Sequence, residues 1–193
     1  MEALTITIPP FLDEVVAAAG TLDSEEGRMR LAIALSRANV ERGGGPFGAV
    51  VFDGFAVVAA GVNRVLDAGY SIAHAEIVAL MRAQQRLATQ QGRHGSLTLV
   101  TSTVPCCQCY GAVVWSGIDH LVCGADTSDA EAIGFDEGPK PSAWAHELEK
   151  RGIRVTEGVC RAEARAVLEE YVKRGGPIYG LRHPTVGASA STG

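Results

Sequence analysis

The sequence predicts an α/β domain in which helices are layered on a sheet. Three observations carry this. Short apolar, β-rich runs alternate with stretches of helical period, which is the order that stacks helices on strands. Asp53-Gly54 separates two of the runs as a hairpin signal. The length, 193 residues with 47% hydrophobic and 20% charged, suits one domain that buries roughly 70% of its unfolded surface.

In chain order, residues 1–24 read as an irregular lead-in with Pro9-Pro10 as a stop. A helix is predicted from Ser24 to Arg42, with Ser24 as N-cap and Glu25 and Glu26 in the first turn. Met29, Ala32, Ile33 and Val40 supply its apolar spacing, and Gly43-Gly44-Gly45-Pro46 ends it. Strands follow over Phe47–Phe52 and Phe55–Val62, then a loop over Asn63–Ile72. A helix over Ala73–Ala88 would bury Ile77, Leu80, Met81 and Leu87. Leu97–Thr103 reads as a buried strand. Pro105 suits the first position of a helix running to Trp115. Ile118–Cys123 is a further strand, and residues 124–142 read as loop with a short helix. A helix over Ala143–Arg151, a strand over Ile153–Thr156 and a helix over Arg161–Arg174 complete the pattern. The division is therefore a lead-in (1–24), a domain (25–175) and a Gly/Ser/Ala-rich tail (176–193) suited to closing over a site.

Composition excludes several classes. Seventeen Lys and Arg against 22 Asp and Glu give a net charge of −5, which argues against a duplex-binding protein. No run approaches the roughly 20 apolar residues of a membrane helix, and Met1–Pro10 lacks the features of a signal peptide. A cytoplasmic location is expected. Three of the five cysteines, Cys106, Cys107 and Cys109, fall within four residues. That is a poor disulfide framework and a good metal or catalytic cluster.

Cys106 and Cys109 have the i, i+3 spacing that puts two thiols on one helical face. His74, 32 positions earlier, would add an imidazole. Two thiolates and one imidazole suit Zn²⁺ with its fourth position open, as in a catalytic site. Glu76 lies two residues beyond His74 and is suited to move protons to and from water at that position. The set matches the zinc deaminase signature H-x-E…P-C-x-x-C. Cys107, Cys123 and Cys160 read as packing residues, and His94, His120, His146 and His183 lack partners at metal spacing.

On these residues the chain resembles the cytidine deaminase-like superfamily, and within it the bacterial guanine deaminases. Four blocks between Leu31 and Tyr179 carry the likeness: Gly44–Ala49, Ala73–Glu76, Pro105–Cys109 and Glu131–Glu137. The resemblance implies a three-layer α/β/α sandwich around a five-stranded mixed sheet, a homodimer, and hydrolytic deamination of a small free heterocyclic base. It implies His74, Cys106 and Cys109 on zinc, with Glu76 and Glu137 as catalytic carboxylates. It implies substrate contacts from Asn63, Phe47, Ala75 and Trp115. Two positions depart from the family pattern: Val104 replaces Glu before the Pro, and Gln108 replaces Met before the second Cys. Guanine is the first expectation. Amino-triazines such as ammeline, isoguanine or cytosine analogues are the alternative, and a tRNA adenosine deaminase-like activity ranks lower. Read without the resemblance, Asn63 is a turn former, Phe47 core, and Glu137 a solvated loop charge.

Overall fold

The computed structural model describes residues 5–88 and 95–179. The helices are α1 (Phe11–Ala17), α2 (Glu25–Glu41), α3 (Val65–Ala68), α4 (Ala75–Ala88), α5 (Cys107–Trp115), α6 (Thr127–Ala132), α7 (Trp144–Glu149) and α8 (Arg161–Lys173). The strands are β1 (Gly48–Asp53), β2 (Ala56–Val62), β3 (Leu97–Thr103), β4 (His120–Ala125) and β5 (Arg154–Thr156). They form one five-stranded sheet in the order β2-β1-β3-β4-β5. β1 is antiparallel to β2 and β3, whereas β3–β4 and β4–β5 are parallel. The mixed sheet and its helices follow the expected fold.

The strands are apolar throughout because both faces are covered. Val50, Phe52, Val100 and Val122 point to one face, where α1, α2 and α8 pack. Ala49, Val51, Leu99 and Leu121 point to the other, under α4, α5 and α7. The period of two along each strand thus yields two apolar layers. Gly54, at φ +58, allows the β1–β2 hairpin.

At the sheet margin, β2 has one neighbour. On its open side Arg82 donates to the Ala60 carbonyl at 2.5 Å and Arg86 to the Val58 carbonyl at 2.6 Å. At the other margin β5 has only three residues.

Most predicted boundaries fall within one or two residues of those observed, and four expectations change. The lead-in contains α1, whose Phe11 and Leu12 are buried against α2; Arg42 lies over the Phe11 ring at 4.5 Å. Seven residues give almost no helical signal alone, and burial supplies what propensity does not. The loop after β2 contains α3. On α4, Ala75, Val78, Ala79, Leu80 and Ala83 face inward, while Met81 is 54% exposed and Ile77 and Leu87 are half-buried. The cause is close approach: a Cβ on Gly61 of β2 would overlap the Ala75 carbonyl and meet the Ala79 nitrogen at 2.5 Å. Only small residues fit there. Finally, Cys106, with ψ 173, is the N-cap of α5, so Pro105 precedes the helix rather than opening it.

Two buried polar groups are satisfied away from the α4–α5 junction. His120 Nε2 pairs with Thr156 Oγ1 at 2.8 Å and its Nδ1 with Arg154 at 2.9 Å. Asp129 completes the capping box of α6 and accepts from Arg161 at 2.8 Å. Among the described residues no helix is long and apolar enough to cross a membrane.

Candidate active site

β3 ends at Thr103 and α5 begins four residues later, beside the N-terminus of α4. Two helix N-termini therefore converge, and their dipoles favour anionic side chains there. His74 Nδ1 lies 3.4 Å from Cys106 Sγ and 3.5 Å from Cys109 Sγ. All three donor atoms lie within 4.8 Å of one another. In a tetrahedron with Zn–N near 2.0 Å and Zn–S near 2.3 Å, the N···S edge is about 3.5 Å. The observed separations match that edge, so the donor set fits zinc in both chemistry and size.

The local electrostatics follow from crowding. A hydrogen bond from Cys109, with His74 beside it, pulls the Cys106 thiol down to about 4. The same bond and burial push Cys109 well above the usual thiol value. The pair shares one proton, and a dication is the partner that favours losing it. Burial opposes a charged His74, but the Cys106 hydrogen bond and the nearby Glu76 together hold its pKa above the usual value. Glu76 is 7% exposed; burial, then the Cys106 charge, raises its pKa. Glu137 is 5% exposed, and the same two causes push it up to about 8. Two buried carboxylates with raised pKa thus share the cavity with the zinc donors.

They line a cavity of about 310 Å³ together with His74, Cys106, Phe47 and Phe135. Phe135 meets Phe47 edge-on at 5.1 Å and Tyr179 edge-on at 5.0 Å. This gives the cavity an aromatic side suited to a flat ring. Val104 is a wall of the cavity. Gln108 lies at its rim and donates to the Ile72 carbonyl at 3.3 Å.

The remaining expected residues divide. Asn63 is 1% exposed. Its Oδ1 accepts from the Val65 amide at 3.1 Å and its carbonyl accepts from Asn39 at 3.0 Å, so it does cap a turn. Among the described residues its Nδ2 has no hydrogen-bond partner, nor has the Tyr179 hydroxyl. A Cβ on Gly45 would collide with that hydroxyl and come within 3.0 Å of Asn63 Oδ1. Asn63 and the Tyr179 hydroxyl thus both lie beside Gly45, and of the two Tyr179 lines the cavity. Ala75 faces β2 and does not line the cavity. Trp115 is a correction. It is 86% exposed and lies with Ile77 and Met81 on the outer face. The reason is distance: it ends α5 eight residues after Cys107, about 12 Å at 1.5 Å per residue.

Phe135, Thr103 and Cys107 line the cavity without having been singled out for it. Phe135 had a signal, since it belongs to the Gly134–Glu137 block. Tyr179 is the last described residue; residues 180–193, where most of the expected lid falls, lie outside the described region, as do His94 and His183.

The layered fold and the His-Cys-Cys set beside a buried glutamate define a class, the zinc-dependent deaminases. Residues 22–125 match the cytidine and deoxycytidylate deaminase zinc-binding region, and the chain belongs to that family. A solved guanine deaminase from Nitrosomonas europaea superposes with a TM-score of 0.82 at 47% identity, over 88% of this chain and 96% of that one. The guanine deaminase of Bacillus subtilis is 35% identical over 115 residues, 59% of this chain and 72% of that protein. A tRNA-specific adenosine deaminase from Buchnera aphidicola is 29% identical over 145 residues, 75% of this chain and 91% of that protein.

Proposed function

We propose that the protein deaminates guanine to xanthine and ammonia. The observation that carries this is the pair of buried carboxylates, Glu76 and Glu137, lining one cavity with the zinc donors His74 and Cys106, a cavity at the small end of the ligand-site range. The similarity to guanine deaminases supports the substrate.

Zinc held by His74, Cys106 and Cys109 would supply a Lewis acid that makes water acidic near pH 7. Glu76 accepts the proton that water releases and delivers it to the ring nitrogen next to the amine-bearing carbon. Glu137, whose pKa burial raises, is the carboxyl group that supplies a proton to the leaving group. Its proton goes to the departing amine as the C–N bond breaks and ammonia leaves; the added hydroxyl becomes the product carbonyl, and the proton it gives up returns through Glu76 and solvent to restore Glu137. Phe47 stacks on the ring, and the spare Asn63 amide pairs with the ring edge once Tyr179 gives way.

We read the working form as a cytoplasmic homodimer. The exposed Ile72, Met81 and Trp115 on the α4–α5 side support a second copy there, and the free cysteines fit a reducing compartment.

The test is ammonia release by the zinc-loaded protein across guanine, isoguanine, cytosine, adenine, their nucleosides, ammeline and a tRNA anticodon stem-loop. Guanine should give the highest kcat/KM, with xanthine as product. Turnover of another member of the panel with none of guanine refutes the assignment.

A further inference from the structure

The segment joining α6 to α7 carries Glu137 without regular structure of its own, yet it is fixed at several points. The Cys107 amide donates to the Glu137 carbonyl at 2.8 Å. Asp136 Oδ1 accepts from the Gly138 amide at 2.8 Å. Gly138 has φ +67, and the space a Cβ would take is filled by Cys107 Sγ. Beyond this turn, Lys140 reaches back. Its Nζ donates to the Pro105 carbonyl at 2.6 Å and to Thr127 Oγ1 at 3.0 Å, and it lies 5.5 Å from the centre of the Trp144 ring.

One ammonium therefore ties three pieces of chain: the turn that delivers Cys106, the first turn of α6, and the loop that delivers Glu137. The hydrogen bonds need donors at two acceptors on different segments, and the flexible stem with three N–H groups of a lysine suits this.

We propose that Lys140 is a positioning residue that holds Glu137 in register with the zinc donors. The proposal rests on the reading of Glu137 as proton donor for its effect on turnover, but not for its effect on the loop.

The test compares the full-length, zinc-loaded wild type with Lys140→Met, Lys140→Arg, Glu137→Gln and the Lys140→Met/Glu137→Gln double variant. Lys140→Met should lower kcat about 10- to 100-fold, the scale of a misplaced catalytic group, with KM changed far less and zinc content unaltered. Lys140→Arg should recover most of the loss. In the Glu137→Gln background, Lys140→Met should cost less than about twofold, because two residues acting through one function are not additive. Equal losses in both backgrounds overturn the proposal.

Hydrogen–deuterium exchange is the arm that does not depend on substrate. In Lys140→Met the peptides covering 105–110 and 134–140 should exchange about tenfold faster, as expected for losing a charge-assisted hydrogen bond, with the rest unchanged. Unaltered exchange in these peptides overturns the proposal even if activity falls. Faster exchange in a protein that does not act on guanine upholds the positioning and refutes the substrate instead. Should Lys140→Met not fold, Thr127→Val removes one acceptor and should accelerate the same peptides about threefold; no change there also overturns the proposal.

Discussion

Gly61→Ala tests whether the sheet sets the position of the zinc donors. The added Cβ would overlap the Ala75 carbonyl and stand 2.5 Å from the Ala79 nitrogen, where ordinary contact starts at 3.4 Å. Both neighbours are backbone of α4, so no side chain can turn aside. The difference, about 0.9 Å, has to be met by moving the helix, or the strand, or both. His74 directly precedes α4 and Glu76 is its second residue, whereas Cys106 and Cys109 belong to a different helix. The shift therefore separates donors that zinc requires within about 0.2 Å. Overpacking of this kind costs about 1–3 kcal/mol, and at 2–4 °C per kcal/mol Tm should fall by about 2–12 °C. Zinc affinity, measured by competition with a chromophoric chelator, should fall by about tenfold or more, the range seen when support for metal ligands is disturbed. A Gly61→Ala protein that folds and keeps wild-type zinc affinity and turnover refutes the claim that α4 is seated by this contact.

Other outcomes follow from the same geometry. Glu76→Gln should lower kcat by about 10²–10⁴ while elemental analysis still finds one zinc per chain; near-normal turnover at full zinc refutes the shuttle. A Cβ on Gly111, inside α5, meets nothing within 4 Å, so Gly111→Ala should raise stability by about 0.5–1 kcal/mol in urea unfolding, and a loss of stability would contradict the open surroundings. The His120 pKa is lowered below its ordinary value, by burial first and then by Arg154. The unfolded chain then binds a proton that the fold resists, so His120's contribution is present above about pH 6.5 and is lost as pH falls through the lower folded value. Asp129, lowered by Arg161, acts with the same sign further into acid: its share is present above the ordinary carboxylate value and disappears on acidification through the folded one. Urea midpoints for wild type and His120→Gln between pH 7.5 and 5.5 should show the shallower slope in the variant, and identical slopes would exclude His120 as a cause.

The zinc donors and Glu76 were legible because their relation is local. His-x-Glu and Cys-x-x-Cys fix side-chain directions within one helical turn, and the predicted strand-to-helix turns bring the two motifs to the same end of the fold. Lys140 was not legible. Its partner Pro105 lies 35 residues away, in a segment whose Pro and Gly content reads only as loop. Phe135 had a motif but no indication that it stands between Phe47 and Tyr179. Trp115 was misplaced because a family position says nothing about how far a helix carries a side chain from its first turn. The α4 stripe held at Leu80 but not at Ile77, Met81 and Leu87. Periodicity assumes that large residues go inward, and the close approach at Gly61 requires small ones at Ala75 and Ala79.

The guanidinium groups of Arg82 and Arg86 occupy carbonyls that an incoming strand would otherwise use, and the three-residue β5 offers too little backbone for one at the far side. Growth by strand addition, the route to fibres and to sheet-to-sheet oligomers, is closed at both ends. A second copy of the chain would then have to meet a helix face, and the α4–α5 side exposes Ile72, Met81 and Trp115 as apolar surface.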